Sequence, residues 1–369
     1  MKKFLQKIFK SVTYFIFFQI YGRISNFVES DNDNRIKIKN IKTKDNFIYN
    51  TYTISNGRLY TDRIHDTAII LDNKVISGPS FQLRYNGSQI YNSNIKDNIV
   101  LRKGTPRKLK NLRGTVLSLL TGGAGNNNYW HWLYDVLPRL YLCSEIEDLR
   151  KIDFFLLPSL TKKFQNETLD LLNIPRNKRL SSEEYRHIKT QKLIVTDHPV
   201  VVSGDMSRDI QNIPNWIMKW LKSSFIKEDS KENEKINIYI DRKDSLHVHE
   251  RLITNELEVK KYLLENKFIS VNLSDINFKD QLNLFKKAQC VAGLHGAGFA
   301  NIVFCKPGTK IIELRSEGAG PVIGNLAKNN DLNYCPIITQ SNPLYKSDYA
   351  NQQGTIEVPI KRLSQILKK

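Results

Sequence analysis

The apolar positions change rhythm partway along the chain. In "FIYNTYTISNGRLY" and "TAIILDNKVISGPSFQLRYNGS" they form short β-branched and aromatic runs, broken at Asn-Gly and Gly-Pro. That pattern predicts short strands joined by tight turns. "GTVLSLL" then reads as a buried strand that runs into "TGGAGNNN" and a helix starting near Tyr129. "KIDFFLLP" and "KLIVTD" are two further strands, with the helix "KKFQNETLDLLNI" between them, so this half predicts a partly parallel α/β sheet. After "SFIKEDSKENEK" the alternation becomes regular. The strands "INIYI", "FISVNL", "CVAGL", "KIIELR" and "YCPIIT" are separated by the helical stretches "NELEVKKYLLENK", "KDQLNLFKKA", "GFANIVFC" and "VIGNLAKN". Such alternation indicates a doubly wound parallel sheet.

The predicted boundaries follow from these changes. Residues 1–30 hold a basic and apolar helix, and 31–222 an N-terminal α/β domain. The highly charged stretch 223–235 is the linker, 236–345 a Rossmann-like domain, and 346–369 a tail with the terminal helix "IEVPIKRLSQILKK". A chain of 369 residues is long enough for two domains, each with its own core.

Charge narrows the partners. The formal net charge is +19, which favours anionic ligands or an anionic membrane surface, although scattered lysines also serve simply to solvate a surface. No compact basic block with interleaved aromatics occurs, so nucleic acid is not an expected partner. Cys143, Cys290, Cys305 and Cys335 form no C-x-x-C pair and read as free thiols of a reducing compartment, which points to the cytoplasm. At the N-terminus the uncharged stretch Ser11 to Gly22 is shorter than the roughly 20 apolar residues a bilayer span needs. Lys2, Lys3, Lys7 and Lys10 flank Phe4, Leu5, Ile8 and Phe9 at helical spacing. Two readings stand for residues 1–22: a helix on the inner face of the cytoplasmic membrane, or a first helix packed on its domain.

Ligands of doubly wound sheets sit outside the carboxyl ends of the strands. Arg242 follows "INIYI", His295 follows "CVAGL", and Glu313 ends "KIIEL", so three polar groups share one rim. In "GLHGAGFAN", the glycines 293, 296 and 298 strip side chains from a turn whose following amides lack helical partners. That makes either an anion site, with His295 as donor, or a tightly packed turn. Arg242 and Arg251 are candidates to fork onto phosphate oxygens. His247 and His249 have no third ligand in view, so no metal is expected there. In "NNNYWHWLYDVLPRLYL", Trp132, Leu133, Val136, Leu137 and Leu140 would form an apolar face, with His131 and Asp135 stacked on another. A carboxylate beside an imidazole is either a general-base pair or a surface pair. Pro138 would remove the helical bond to Tyr134 and bend the helix.

Together, "NNNYWHWLYDVLPRLYL" and "LHGAGFANIVFCKPGTKIIEL", with "IYIDRK", "RLITNELE" and Gln281 between them, resemble glycosyltransferase family 61, which includes capsular polysaccharide biosynthesis proteins. The likeness covers roughly Leu117 to Arg315. It implies a GT-B-like fold, two Rossmann-like domains facing a cleft, and inverting hexosyl or pentosyl transfer from a nucleotide sugar, commonly UDP-linked. The acceptor would be a glycan or lipid-linked glycan. No cofactor and no essential metal are implied, and "DND" at Asp31 to Asp33 reads as a solvated loop. The donor residues carried over are Arg242, Arg251, Gln281, His295, Gly296, Ala297, Gly298, Asn301 and Glu313. On the acceptor side stand Asp135, the expected base, and His131, which would orient it. A non-catalytic nucleotide- or carbohydrate-binding protein on the same fold is the alternative.

Overall fold

The computed structural model describes residues 2–80, 83–86, 89–92, 94–120, 127–203, 205–226, 234–242, 251–342 and 348–368. The predicted loop at 121–126, most of the charged stretch at 227–233, and His247 and His249 lie outside the described residues. The chain divides into two compact units, Met1–Asp209 and Ile210–Lys369. The division precedes the expected linker because the helix Asn215–Phe225 packs on the second unit. There the Phe225 ring sits edge-on to Phe278 at 5.0 Å and to Phe304 at 6.2 Å.

The first unit opens with the helix Lys2–Tyr21, then strands β1 (Asn26–Val28), β2 (Ile36–Lys42), β3 (Ile48–Ser55), β4 (Arg58–Thr61), β5 (Thr67–Leu71) and β6 (Lys74–Ile76). Asp72 and Asn73 both adopt positive φ, the requirement of a type I′ hairpin turn between β5 and β6. A small hairpin follows, β7 (Leu83–Asn86) with β8 (Gln89–Asn92). Then come β9 (Lys110–Ser118), β10 (Phe154–Leu157), β11 (Arg179–Ser181) and β12 (His187–Thr196). The main sheet runs β1-β6-β5-β4-β12-β9-β10-β11. From β12 to β11 every pairing is parallel, while β4 and β3 pair antiparallel with β12. The Rossmann-like expectation therefore holds for the parallel part of this sheet alone. β12 is its spine: its first half carries β4 and its second half carries β3 on the same edge. Side chains alternate along β5, so Ile69 enters one core with Ile54 and Leu193, and Ile70 enters another with Tyr60 and Val100.

The second unit holds β13 (Ile236–Asp241), β14 (Phe268–Asn272), β15 (Ala288–Leu294), β16 (Lys310–Ser316), β17 (Asn333–Tyr334) and β18 (Ile337–Thr339). All pairings are parallel and the order is β14-β13-β15-β16-β17, with β18 also on β16. The expected strand "YCPIIT" is split in two at Pro336, which has no N–H for a ladder. Between β15 and β16 the expected α-helix is a 3₁₀ segment, Ala297–Phe304. The terminal helix Ile360–Lys368 belongs to this unit's core through Leu363, Ile366 and Leu367. The strand order changes direction between β13 and β15, which is the topological switch point where open α/β sheets bind ligands.

Candidate active site

In the first unit, chemistry gathers beyond the carboxyl ends of β9 and β12, two strands paired in parallel. Asn128 starts the segment after β9 by accepting the Trp130 N–H at 2.9 Å. One helical turn, Tyr129–His131, leads into a widened π turn, Trp132–Val136, in which the Leu137 N–H reaches back to the Trp132 carbonyl at 3.1 Å. Pro138 then begins an α-helix ending at Ser144. Proline cannot bond to Tyr134 and would crowd its carbonyl, and the widened turn just before it relieves both. Trp132 anchors the segment from within: its indole N–H donates to Thr168 Oγ1 at 2.9 Å in a fully buried setting.

The widened turn changes which side chains are covered. Asp135 is buried at 5% exposure, whereas the His131 side chain keeps 36% of its surface. Asp135 Oδ2 lies 2.6 Å from His131 Nδ1. This assigns the Nδ1 proton to the bond with the carboxylate and leaves the Nε2 lone pair for a substrate. Sequence reasoning favoured Asp135 as the base and His131 as its holder. Of the pair, Asp135 is the buried member and His131 the one with more exposed surface.

Two further groups, absent from the sequence-based set, complete the constellation. Buried His198, two residues beyond β12, has Nε2 3.8 Å from the same Asp135 oxygen. Buried Arg139 donates from Nε to the Asp135 carbonyl at 3.0 Å and from Nη1 to the Thr196 carbonyl at 2.8 Å, joining the two strand ends. Arg139 was legible as the next member of the four-residue spacing 131, 135, 139. His198 lies in an irregular segment with no pattern to mark it. Burial raises the carboxyl of Asp135, but His131, His198 and Arg139 outweigh it and hold the group below its ordinary value. Burial also opposes a charge on His131, yet the Asp135 carboxylate prevails and raises its pKa. At His198 burial outweighs the Asp135 carboxylate, and with Arg139 and His131 it pushes the pKa down to about 4.

In the second unit, the main-chain turn after β15 is held from two sides. Arg242, just beyond β13, donates from Nη1 to the His295 carbonyl at 2.7 Å, and Arg251 donates to the same oxygen at 2.9 Å. Two guanidinium groups thus meet at the switch point. Gly296 makes this approach possible: a Cβ there would lie 3.0 Å from Arg242 Nη1. At Gly298 a Cβ would lie 3.1 Å from both Ile240 Cγ2 and Leu273 Cδ1. The first bond of the 3₁₀ segment is Phe299 N–H to the Gly296 carbonyl, so the Ala297 and Gly298 amides precede any intrahelical partner.

The remaining expected donor residues are turned inward. Buried His295 bonds Glu313 through Nδ1, and its Nε2 accepts from the Gln352 side chain at 2.9 Å. Burial is the main cause that lowers its pKa, with Arg251 and Arg315 adding to it, which favours a neutral ring. Glu313 is fully buried between His295 and the Tyr334 hydroxyl. Gln281 donates to the Leu273 carbonyl at 2.8 Å and accepts from the buried Asn301 amide at 2.9 Å. Glu313, Gln281 and Asn301 are therefore buried and bonded within the second unit. The carboxylate of Asp33 serves its own neighbour Arg35 at 2.6 Å, a structural pair. Among the described residues no group of three His, Cys, Asp or Glu side chains is arranged to hold a metal ion.

Comparison with known proteins bears on this geometry. No curated protein sequence matches the chain. A solved flavo di-iron protein mutant from Thermotoga maritima aligns at 10% identity over 91% of this chain and 100% of its own, with a TM-score of 0.21, a likeness too slight to carry an argument. The family model for Glycosyltransferase 61 matches residues 129–312, a span that opens at Tyr129, one residue before Trp130, and closes within β16. Residues 129–312 are thus similar to glycosyltransferase family 61, a likeness that supports glycosyltransferase activity.

Proposed function

We propose that the protein is an inverting, metal-independent glycosyltransferase of GT-B type that takes a sugar from a nucleoside diphosphate donor, UDP-linked, for a cell-surface polysaccharide made at the cytoplasmic face of the membrane. The observation that carries the donor side is the meeting of Arg242 and Arg251 at one carbonyl at the switch point of a parallel sheet. In this reading His131 Nε2 takes the proton of an acceptor hydroxyl. The oxygen attacks the anomeric carbon from the face opposite the diphosphate, forming the new glycosidic bond. The bond from carbon to phosphate oxygen breaks, and its electron pair leaves with the diphosphate. The two arginines and the Ala297 and Gly298 amides offset the charge that develops there. Asp135 keeps Nδ1–H in place and stabilises the imidazolium as it forms.

Titration calorimetry with UDP, in EDTA, tests the donor site. Arg242→Ala should weaken binding by about 1.5–3 kcal/mol, the contribution of a charge-assisted bond. Unchanged affinity in Arg242→Ala and Arg251→Ala, or wild-type binding that requires a divalent ion, would remove this reading. The non-catalytic alternative predicts UDP binding with no UDP released from UDP-sugars in the presence of a glycan acceptor.

A further inference from the structure

The first unit contains a second, chemically different place that the transfer reaction does not use. The helix Lys2–Tyr21 is fixed to its unit near its C-terminal end. The Tyr21 hydroxyl accepts the Leu109 N–H at 2.8 Å, and its ring meets His187 edge-on at 5.0 Å. Nearer its start, Leu5, Gln6, Phe9 and Lys10 of the helix line one side of a pocket of about 780 Å³. Four cations line that pocket: Lys10 from the helix, Lys103 and Arg107 from the segment before β9, and Arg186 just before β12. None of the four makes an ion pair among the described residues. Asp62 also lines the pocket, but its Oδ1 is used by the N–H groups of Ile64, His65 and Asp66. The Arg186 pKa is lowered by burial first and then by Arg107 and Arg63, which together outweigh Tyr60 and Asp62. Beside the cations the helix exposes large apolar side chains, with Phe9 at 72% and Phe15 at 65% exposure, together with Phe4, Leu5 and Ile16. No helix among the described residues is long and apolar enough to cross a membrane.

We propose that the helix and the pocket together dock on an anionic phospholipid bilayer, with one lipid phosphate between Lys10, Lys103, Arg107 and Arg186 and the phenylalanines at the acyl boundary. Exposed aromatic side chains on a helix flanked by lysines suit the interface of an anionic leaflet. Guanidinium groups that outnumber the single pocket carboxylate, Asp62, suit a phosphate. A second copy of this chain is a poor occupant, because a two-fold contact would set the same positive patch against itself on a molecule of net charge +19. The inference stands apart from the transfer reaction, since none of its residues belongs to either site described above.

Flotation of the full chain with phosphatidylcholine vesicles, with or without phosphatidylglycerol, tests it. The chain should float with the phosphatidylglycerol vesicles and remain behind with the neutral ones. Each basic group at such a surface is worth roughly fivefold in partition, so Arg107→Glu with Arg186→Glu should lower partition at least about 20-fold. Phe9→Asp with Phe15→Asp should lower it comparably, and UDP affinity should be unchanged in both variants. Equal flotation with both vesicle types, or no effect of the arginine reversals, overturns the proposal. So does inorganic phosphate binding that the reversals abolish while flotation persists. A lipid-free dimer that the phenylalanine changes dissolve, with no vesicle binding by the wild type, would identify the second copy as occupant instead.

Discussion

Two substitutions separate the roles of His131 and Asp135. His131→Ala removes the accepting nitrogen, so turnover should fall by about 10²–10⁴ with donor affinity unchanged. Asp135→Asn keeps the size and a bond to Nδ1 but withdraws the charge that raises the His131 pKa, so a larger residual turnover should remain and the acidic limb of the pH profile should move to lower pH. Steady-state rates across pH decide it, and equal rates in wild type and both variants would mean that the pair is structural. At the other site, Gly296→Ala is informative because φ there is 166°, extended backbone open to any residue. The added methyl would press on the tip of the flexible Arg242 side chain. Calorimetry should show weaker UDP binding while the urea midpoint stays near wild type; a large loss of stability would mean that the turn itself, rather than the arginine, was disturbed. Sequence fixes which residues stand at strand ends, and so Arg242 and His295 could be read directly. It does not fix which way a side chain turns. Asp135 read as a surface position because a regular helix was assumed, and one extra residue in the turn brought it under cover. Glu313 read as a rim group although it ends inside, bonded to His295.

At the level of elements, the site helix depends on one buried polar contact. Thr168→Val keeps the shape of the side chain but leaves the Trp132 indole N–H buried without its acceptor, and Thr168 is itself 0% exposed. The cost should be about 1–3 kcal/mol in urea unfolding. A change under about 0.5 kcal/mol would show that the tryptophan is held by packing alone. The regular alternation after residue 236 was legible because parallel strands buried on both faces read as short continuous apolar runs. The mixed sheet of the first unit was not, since pairing partners such as β3 and β12 lie over 130 residues apart and no local pattern names them. The 3₁₀ character of Ala297–Phe304 was also hidden, because its composition is that of any buried helix.

For the molecule as a whole, buried histidines set the response to acid. His187 and His198 are each pushed by burial to about 4 from an ordinary value of 6.5. Between those values the unfolded chain binds protons that the folded chain refuses, so stability falls as pH drops through that window. From pH 7 to pH 5 the loss should be about 2 kcal/mol for each histidine, and His131, shifted the other way, offsets part of it. Urea unfolding of wild type and His187→Gln at both pH values checks this; equal slopes in the two proteins would exclude His187 as a contributor. The spine strand β12 carries a different consequence. It lies at the centre of the first sheet in space, yet it is the last strand of that sheet in the chain. β3, β4 and β9 each leave an edge that only residues 187–196 can close. As the chain emerges from the ribosome, all three strands must wait for their common partner, with their main-chain bonds open to solvent until residue 196 is free. Assembly of this unit is thus late and long-range, the kind of topology that folds slowly.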